Sequence, residues 1–224
     1  VPQIVLANDV YVPFGERNYS EAESGEKINF EDLNLKEALL EYYKFHIDKK
    51  YEGKDITVGM MKQFTSLSLP WMNIFSLQGL EHATNLKSLN LSNNFIEDLK
   101  PLEKLTELED LNLTNNKIKN PESLGKLTKL RQLVLRKNLM NNLDFMNNLS
   151  VESLDISMNG VLKDYIPNNL KLDNIRSLNI SGIGFDNISL NKTETDIIAQ
   201  IDFAIKQEGY EMSFDTMVLT GDNA

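Results

Sequence analysis

The chain has 224 residues, with 33 Asp+Glu against 23 Lys+Arg, a formal net charge of −10, two His and no Cys. This acidic balance argues against nucleic-acid binding, which needs a basic surface. No apolar run approaches the length of a transmembrane helix. Without cysteine there can be no disulfide scaffold, no Cys-ligated zinc site and no thiol nucleophile. The length allows one large domain or two small ones with a substantial apolar core.

The chain begins with a segment, residues 1–27, that we interpret as extended because Val10, Val12 and Phe14 recur at every second position. Its first residues, Val5-Leu6-Ala7, also have the small residues of a signal-peptide cleavage site, and that alternative stays open.

Residues 28–63 are predicted to form a helical cap. Asn34 and Glu37 have the spacing of a capping box. Apolar residues follow at helical spacing from Leu35 to Tyr42. Thr57 is predicted to cap a second helix, with Ile56 and Met61 packed as a hydrophobic staple.

Residues 64–190 contain six copies of one unit of about 22 residues. They hold 27 of the 33 Leu and 20 of the 26 Asn. Positions one, four and six of the unit are apolar, and position nine is Asn in four copies. We number positions from the first residue of each unit; these residues are Phe64, Leu86, Leu108, Leu130, Val151 and Ile175.

The residue types at these positions have a physical explanation. Side chains alternate along a strand, so the apolar residues at positions four and six point inward together. The Asn at position nine can bond the backbone of adjoining turns and form a ladder. One unit cannot bury its own apolar face, so units must stack into a solenoid. Pro121 replaces the leucine found at Leu99, which predicts an irregular return segment in that unit.

Residues 191–224 are predicted to close the far end of the solenoid. Thr193 begins a helical pattern that Gly209 ends. Phe214, Met217 and Leu219 then repeat the strand half of the unit, which predicts a last strand.

The repeats, seen best in residues 105–126, and the segment INFEDLNLKEALLEYY at residues 28–43 together resemble the internalins. The resemblance covers residues 28–190. It implies an α/β fold: a leucine-rich repeat solenoid with a concave parallel β-sheet, an N-terminal helical cap and a C-terminal cap containing a helix. Residues 191–224 do not resemble the immunoglobulin-like module that usually follows internalin repeats.

The resemblance also implies a function. It points to a secreted or surface protein of Gram-positive bacteria, active in adhesion and virulence, that contacts a host or cell-surface protein through its concave face. The repeat alone is also compatible with an intracellular scaffold or an enzyme regulator of the short-repeat class. The partner is expected to be a protein, with no nucleic acid, no membrane insertion and a monomeric chain.

Positions three, five and seven of each unit face the concave side and are mostly small and polar. Binding hot spots favour Trp, Tyr and Arg, and residues 86–140 carry ten Lys+Arg against seven Asp+Glu. A solvated face without a partner is the alternative interpretation. The residues predicted to contact a partner are Trp71, Asn90, Asp110, Asn112, Gln132, Val134, Arg136 and Asp155.

Signals for an enzyme are poor. The two histidines, His46 and His82, fall on the cap helix and on an outer return segment. We interpret either as a packed or surface histidine and not as a catalytic base. We therefore expect no catalytic residue, no cofactor and no metal site.

Overall fold

A computed structural model describes residues 25–160, 174–179, 182 and 219–220. The predicted alternation at Val10, Val12 and Phe14 and the predicted C-terminal helix from Thr193 lie outside these residues. Within the described residues, no helix is both long enough and apolar enough to cross a bilayer.

Among the described residues, two helices precede the repeats: α1 spans Leu33–His46 and α2 spans Val58–Met61. The N-cap of α1 is Asp32, whose carboxylate accepts hydrogen bonds from the backbone N–H groups of Asn34 (2.8 Å) and Leu35 (3.2 Å). The predicted capping box that starts at Asn34 is therefore wrong, because the helix already begins before that residue. The predicted cap at Thr57 is confirmed, since its Oγ1 accepts from the N–H of Met60 at 3.2 Å.

The first helix packs on the first repeat. Leu35, Leu39 and Tyr43 have no exposed surface, and the ring of Tyr43 meets the ring of Phe64 edge to face, with centroids 6.2 Å apart. Burying each of these side chains contributes roughly 1.5–3 kcal/mol. The helix thereby shields the apolar end that the first unit would otherwise expose.

Asp32 also joins the cap to the first repeat. Its second carboxylate oxygen accepts from the N–H groups of Phe75 (2.6 Å) and Ser76 (3.1 Å). One fully buried carboxylate thus satisfies four backbone donors, two in the helix and two in the repeat.

In the part of the chain that the structure describes, seven strands form one sheet, ordered as they occur in the chain. The first six pair in parallel, and the seventh pairs antiparallel with the sixth. The register follows the repeat, so that Leu67 lies opposite Leu89 and Leu89 opposite Leu111. The strands are β1 (Ser66–Ser68), β2 (Ser88–Asn90), β3 (Asp110–Asn112), β4 (Gln132–Val134), β5 (Ser153–Asp155), β6 (Ser177–Asn179) and β7 (Leu219–Thr220).

Short 3-10 helices form the outer side of the units, at Leu80–His82, Lys100–Lys104, Glu122–Lys126 and Asp144–Asn148. The prediction of an irregular segment at Pro121 is wrong. Pro121 precedes Glu122–Lys126 in the same way that Leu99 precedes Lys100–Lys104. This position tolerates proline because the backbone N–H at the start of a helix has no hydrogen-bond partner within the helix.

The asparagines at position nine form the predicted ladder. Asn116 donates to the carbonyl oxygens of Leu91 and Leu113, both at 3.0 Å, and accepts from the N–H of Ile96 at 3.1 Å. The same pattern joins the first five units to one another through Asn94, Asn116, Asn138 and Asn159. The ladder holds the turn at the end of each strand, and these turns set the shape of the surface described next.

Candidate functional site

The sheet presents two rows of side chains on its concave face. In β1 to β5 the central leucine is buried, and its two neighbours are on the more exposed face of the sheet. The strand register places the position-three residues in one row and the position-five residues in a second row. The first row is Ser66, Ser88, Asp110, Gln132, Ser153 and Ser177; the second is Ser68, Asn90, Asn112, Val134, Asp155 and Asn179.

Three of the predicted contact residues use their side-chain oxygen within the fold. Asn90 accepts from the N–H of Ser92 at 3.0 Å, and Asn112 accepts from the N–H of Thr114 at 2.9 Å. Asp155 does the same for Ser157 at 2.9 Å. Each bond closes a turn at the end of a strand, as Asn and Asp do in Asx turns. These residues therefore shape the surface.

Arg136 is anchored to the same part of the face. Its guanidinium donates to the Oγ of Ser157 at 3.0 Å, and that hydroxyl donates to the carboxylate of Asp155 at 2.6 Å. The other carboxylate oxygen of Asp155 accepts from the amide of Asn179 at 3.1 Å. This chain of bonds ties Arg136, which follows β4, to the residues at and after the end of β5.

The centre of the face has polar groups that the fold does not use. Asp110 and Gln132 are neighbours in the first row, and Val134 lies beside them on β4. Among the described residues, neither the Asp110 carboxylate nor the Gln132 amide has a hydrogen-bond partner. Burial and the charge of Glu109 raise the pKa of Asp110, and Arg131 opposes this rise. A partner that donates to Asp110 would relieve that unfavourable environment.

Trp71 lies at the end of the first strand and is strained. It is 64% exposed, and its φ of 62° is in the left-handed region that bulky residues avoid. Every described unit adopts this conformation at position eight, and the residues there are Trp71, Asn93, Asn115, Lys137, Met158 and Gly182. Asn and Gly suit this backbone. An exposed Trp has no comparable local reason to be there, which points to a role in contact.

Several exposed apolar side chains that follow the strands, as Trp71 does, were not predicted from the sequence. Phe75 is 52% exposed, Phe95 47%, Leu139 43% and Met158 48%. The sequence does contain a signal for them. Position nine turns inward with its asparagine, so the apolar residues at positions eight and ten, which are Met158, Phe95 and Leu139, must point outward. Phe75, at position twelve, has no such signal.

Position two also carries a pattern that was missed. Down the stack it reads Lys87, Glu109, Arg131, Glu152 and Arg176, with alternating charge. Three of the four neighbouring pairs form ion pairs: Lys87–Glu109 at 3.4 Å, Arg131–Glu152 at 3.0 Å and Arg176–Glu152 at 3.9 Å. These bonds lower the pKa of Glu152 and raise the pKa of Arg131. The edge where the strands begin is therefore neutralised by its own side chains.

The two histidines lie on separate elements. His46 stacks on the ring of Tyr42 near the end of α1, with centroids 4.2 Å apart, and His82 ends the 3-10 helix Leu80–His82. In the described part of the chain, no group of three or more His, Cys, Asp or Glu residues could hold a metal ion.

Comparison with known proteins agrees with this architecture. The family described as "Leucine Rich repeats (2 copies)" matches residues 84–126. The structure is similar to that of an internalin, InlF, from Listeria monocytogenes, with 26% identity, 71% of this chain and 48% of that chain covered, and a TM-score of 0.58. It is also similar to the functional domain of InlJ from the same organism, with 21% identity, 79% and 41% coverage, and a TM-score of 0.52.

The chain spans less than half the length of either of these proteins. No curated protein matches it significantly in sequence. The InlJ domain includes a cysteine ladder, whereas the ladder described above is made of asparagine.

Proposed function

We propose that this chain, which is an internalin-like leucine-rich repeat protein, is a non-enzymatic module that binds a protein partner on the concave face of its repeats. We further propose that it acts as a secreted or cell-surface protein and contacts a host or cell-surface protein. The fold supports the general part of this proposal, because leucine-rich repeats of this kind serve as protein-interaction modules. The open face of β1–β6 supports the choice of surface.

The observation that carries the proposal is the unbonded centre of the concave face. Asp110, Gln132 and Val134 lie side by side, while the residues around them are fixed by bonds to the backbone. Fixed surroundings reduce the entropy that a partner must overcome on binding. A rigid frame around free polar groups is therefore suited to recognition of a folded partner.

An interaction screen tests the proposal. The purified chain is presented to an array of purified extracellular protein domains, and each binder is titrated against wild type and two variants. The first variant, Asp110→Lys with Gln132→Ala, changes the centre of the face. The second, Glu122→Lys with Thr128→Ala, makes the same kind of change on the exposed outer side. Circular dichroism confirms that both variants are folded.

We expect at least one domain to bind wild type and the outer-side variant equally, and to bind the concave variant at least tenfold more weakly. A binder that treats both variants like wild type would contradict the choice of surface. The location is tested separately, by fractionating the organism that encodes the chain. Protein found only inside the cell would contradict secretion while leaving protein binding intact.

A further inference from the structure

The strand ends form a second surface, which we call the exit rim and define as residues 70–74, 92–96, 114–118, 136–140 and 157–160. These segments contain three cations, Lys117, Arg136 and Lys137, and no Asp or Glu. The whole chain has ten more acidic than basic residues, so a continuous surface without a carboxylate is unexpected. The exit rim therefore has a charge opposite to that of the protein that carries it.

The cations of the exit rim are not neutralised by the fold. Among the described residues, none of the three forms an ion pair, whereas the cations of position two are paired with Glu109 and Glu152. Arg136 donates to a hydroxyl, and the ammonium of Lys117 lies 5.2 Å from the ring centroid of Phe95. The two edges of one sheet thus differ. The charges at the edge where the strands begin are paired with one another, whereas the cations at the exit rim are open to an external anion.

Apolar side chains lie among these cations. Phe95 and Leu139 are at position ten on either side of Lys117, and Met158 follows Lys137 at position eight. Each of the three residues has more than two fifths of its surface exposed. Neighbouring strands are roughly 4.8 Å apart, so the cationic and apolar groups alternate on the scale of single side chains.

The backbone strengthens the case for contact. Lys137 and Met158 share with Trp71 the left-handed conformation of position eight, with φ of 57° and 58°. Asn93 and Asn115 show which side chain this turn accepts without strain. The larger residues are kept where they cost stability, as is found at binding sites.

Carboxylates appear again on the outer side of the rim. Glu97 and Asp98 share a groove with Phe75, Phe95 and Lys117. An acidic partner would be repelled from that groove and also from Asp110 and Asp155 on the concave face. The charges therefore direct an acidic segment to the rim between them, where Lys117, Arg136 and Lys137 lie.

We infer that the exit rim docks an acidic protein segment that carries aliphatic or aromatic side chains, with its carboxylates on Lys117, Arg136 and Lys137 and its apolar groups on Phe95, Leu139 and Met158. This inference rests on the proposed function and names the chemistry of the partner. It makes the rim a second contact surface, beside the concave face, that contributes to the affinity for the partner.

Peptide selection with the full chain tests the inference. A display library of random twelve-residue peptides is selected on the immobilised protein, and enriched peptides are synthesised and titrated. Trp71 is the single tryptophan and lies on the rim, so its emission reports binding there directly. We expect the enriched peptides to be acidic and apolar, to shift the emission of Trp71, and to bind more weakly as salt is raised.

Charge-reversal variants locate the site. Lys117→Glu with Lys137→Glu should weaken binding at least tenfold. Lys104→Glu with Lys126→Glu, which changes the net charge equally at exposed sites on the outer side, should have less than a twofold effect. Peptides with basic character, or tighter binding of a thymidine oligonucleotide to the same rim, would overturn the inference.

The same titrations separate this inference from the proposed function. Binding lost only in the Asp110→Lys, Gln132→Ala variant would overturn the rim and leave the concave site standing. Binding unchanged in both the rim and concave variants would overturn both. No enriched peptide at all would overturn the rim inference, and the array of protein domains then tests the concave site by itself.

Discussion

Asn94 should contribute more to stability than any other member of the asparagine ladder. Its side-chain oxygen accepts from the N–H groups of Met72 and Ile74, both at 3.0 Å. Its amide donates to the carbonyl oxygens of Leu69 (3.0 Å) and Leu91 (2.9 Å). Position nine of the first unit is Met72, whose side chain has no amide group. Among the described residues, Asn94 is therefore the only donor to the carbonyl of Leu69.

Asn116 offers the matched comparison. The two carbonyls it bonds, those of Leu91 and Leu113, are also bonded by Asn94 and Asn138. Removing the Asn116 side chain therefore leaves one backbone group without a partner, the N–H of Ile96.

These counts give the expected magnitudes. Each buried polar group that loses its hydrogen-bond partner costs about 1–3 kcal/mol, with the low end for groups that water can reach. Asn94→Ala leaves three backbone groups without a partner: the N–H groups of Met72 and Ile74 and the carbonyl of Leu69. It should lower the free energy of unfolding by about 3–5 kcal/mol, against about 1–2 kcal/mol for Asn116→Ala. The cavity left by the side chain is alike in the two variants and cancels in the comparison.

Urea unfolding measures both values, followed by circular dichroism and by the emission of Trp71. Coincident curves establish a two-state transition, which the free energies require. Asn138→Ala, whose bonds repeat those of Asn116, serves as the control and should match Asn116→Ala. Equal losses for Asn94→Ala and Asn116→Ala would refute the argument that shared carbonyls protect the middle of the ladder.

Three further predictions follow from single residues. Trp71→Asn should raise the free energy of unfolding by about 0.5–1 kcal/mol, measured by circular dichroism, because Asn relieves the left-handed strain; a loss of stability would show that the exposed ring packs. Asp32→Ala should lower it by about 3 kcal/mol, since four donors lose their acceptor, and urea unfolding with little change would contradict a role in joining cap and repeat. Because the folded state raises the pKa of Asp110, its carboxylate reduces stability above that pKa. Asp110→Asn should therefore be more stable than wild type at neutral pH, with no difference below its ordinary pKa of 3.8; urea midpoints measured across pH decide this.

Periodicity predicts this fold because the interactions that define it repeat in the sequence. The spacing from Leu89 to Leu111 gives the strand register, and the spacing from Asn94 to Asn116 gives the ladder. Such contacts join equivalent positions of neighbouring units, so the sequence pattern already contains them. Asp32 escaped this reasoning because its contact with Phe75 crosses 43 residues and belongs to no repeat.

The candidate site was less predictable. The alternation of side chains identifies Asp110 and Gln132 as outward-facing. It cannot show that the side-chain oxygens of Asn90 and Asn112 accept hydrogen bonds from the turns that follow the strands. The left-handed backbone at Trp71 and Lys137 depends on how the ladder bends the chain after each strand. That geometry emerges only when the units stack, and it creates the exit rim.

Hydrogen–deuterium exchange on the full chain, with and without a bound protein partner, tests the central claim that the concave face and exit rim recognise the partner. We predict slower exchange in residues 66–72, 88–95, 110–117 and 132–139 when the partner is bound. Exchange in the outer 3-10 helices at 100–104 and 122–126 should not change. Protection of those outer helices, with no change along the strands and their ends, would contradict the claim.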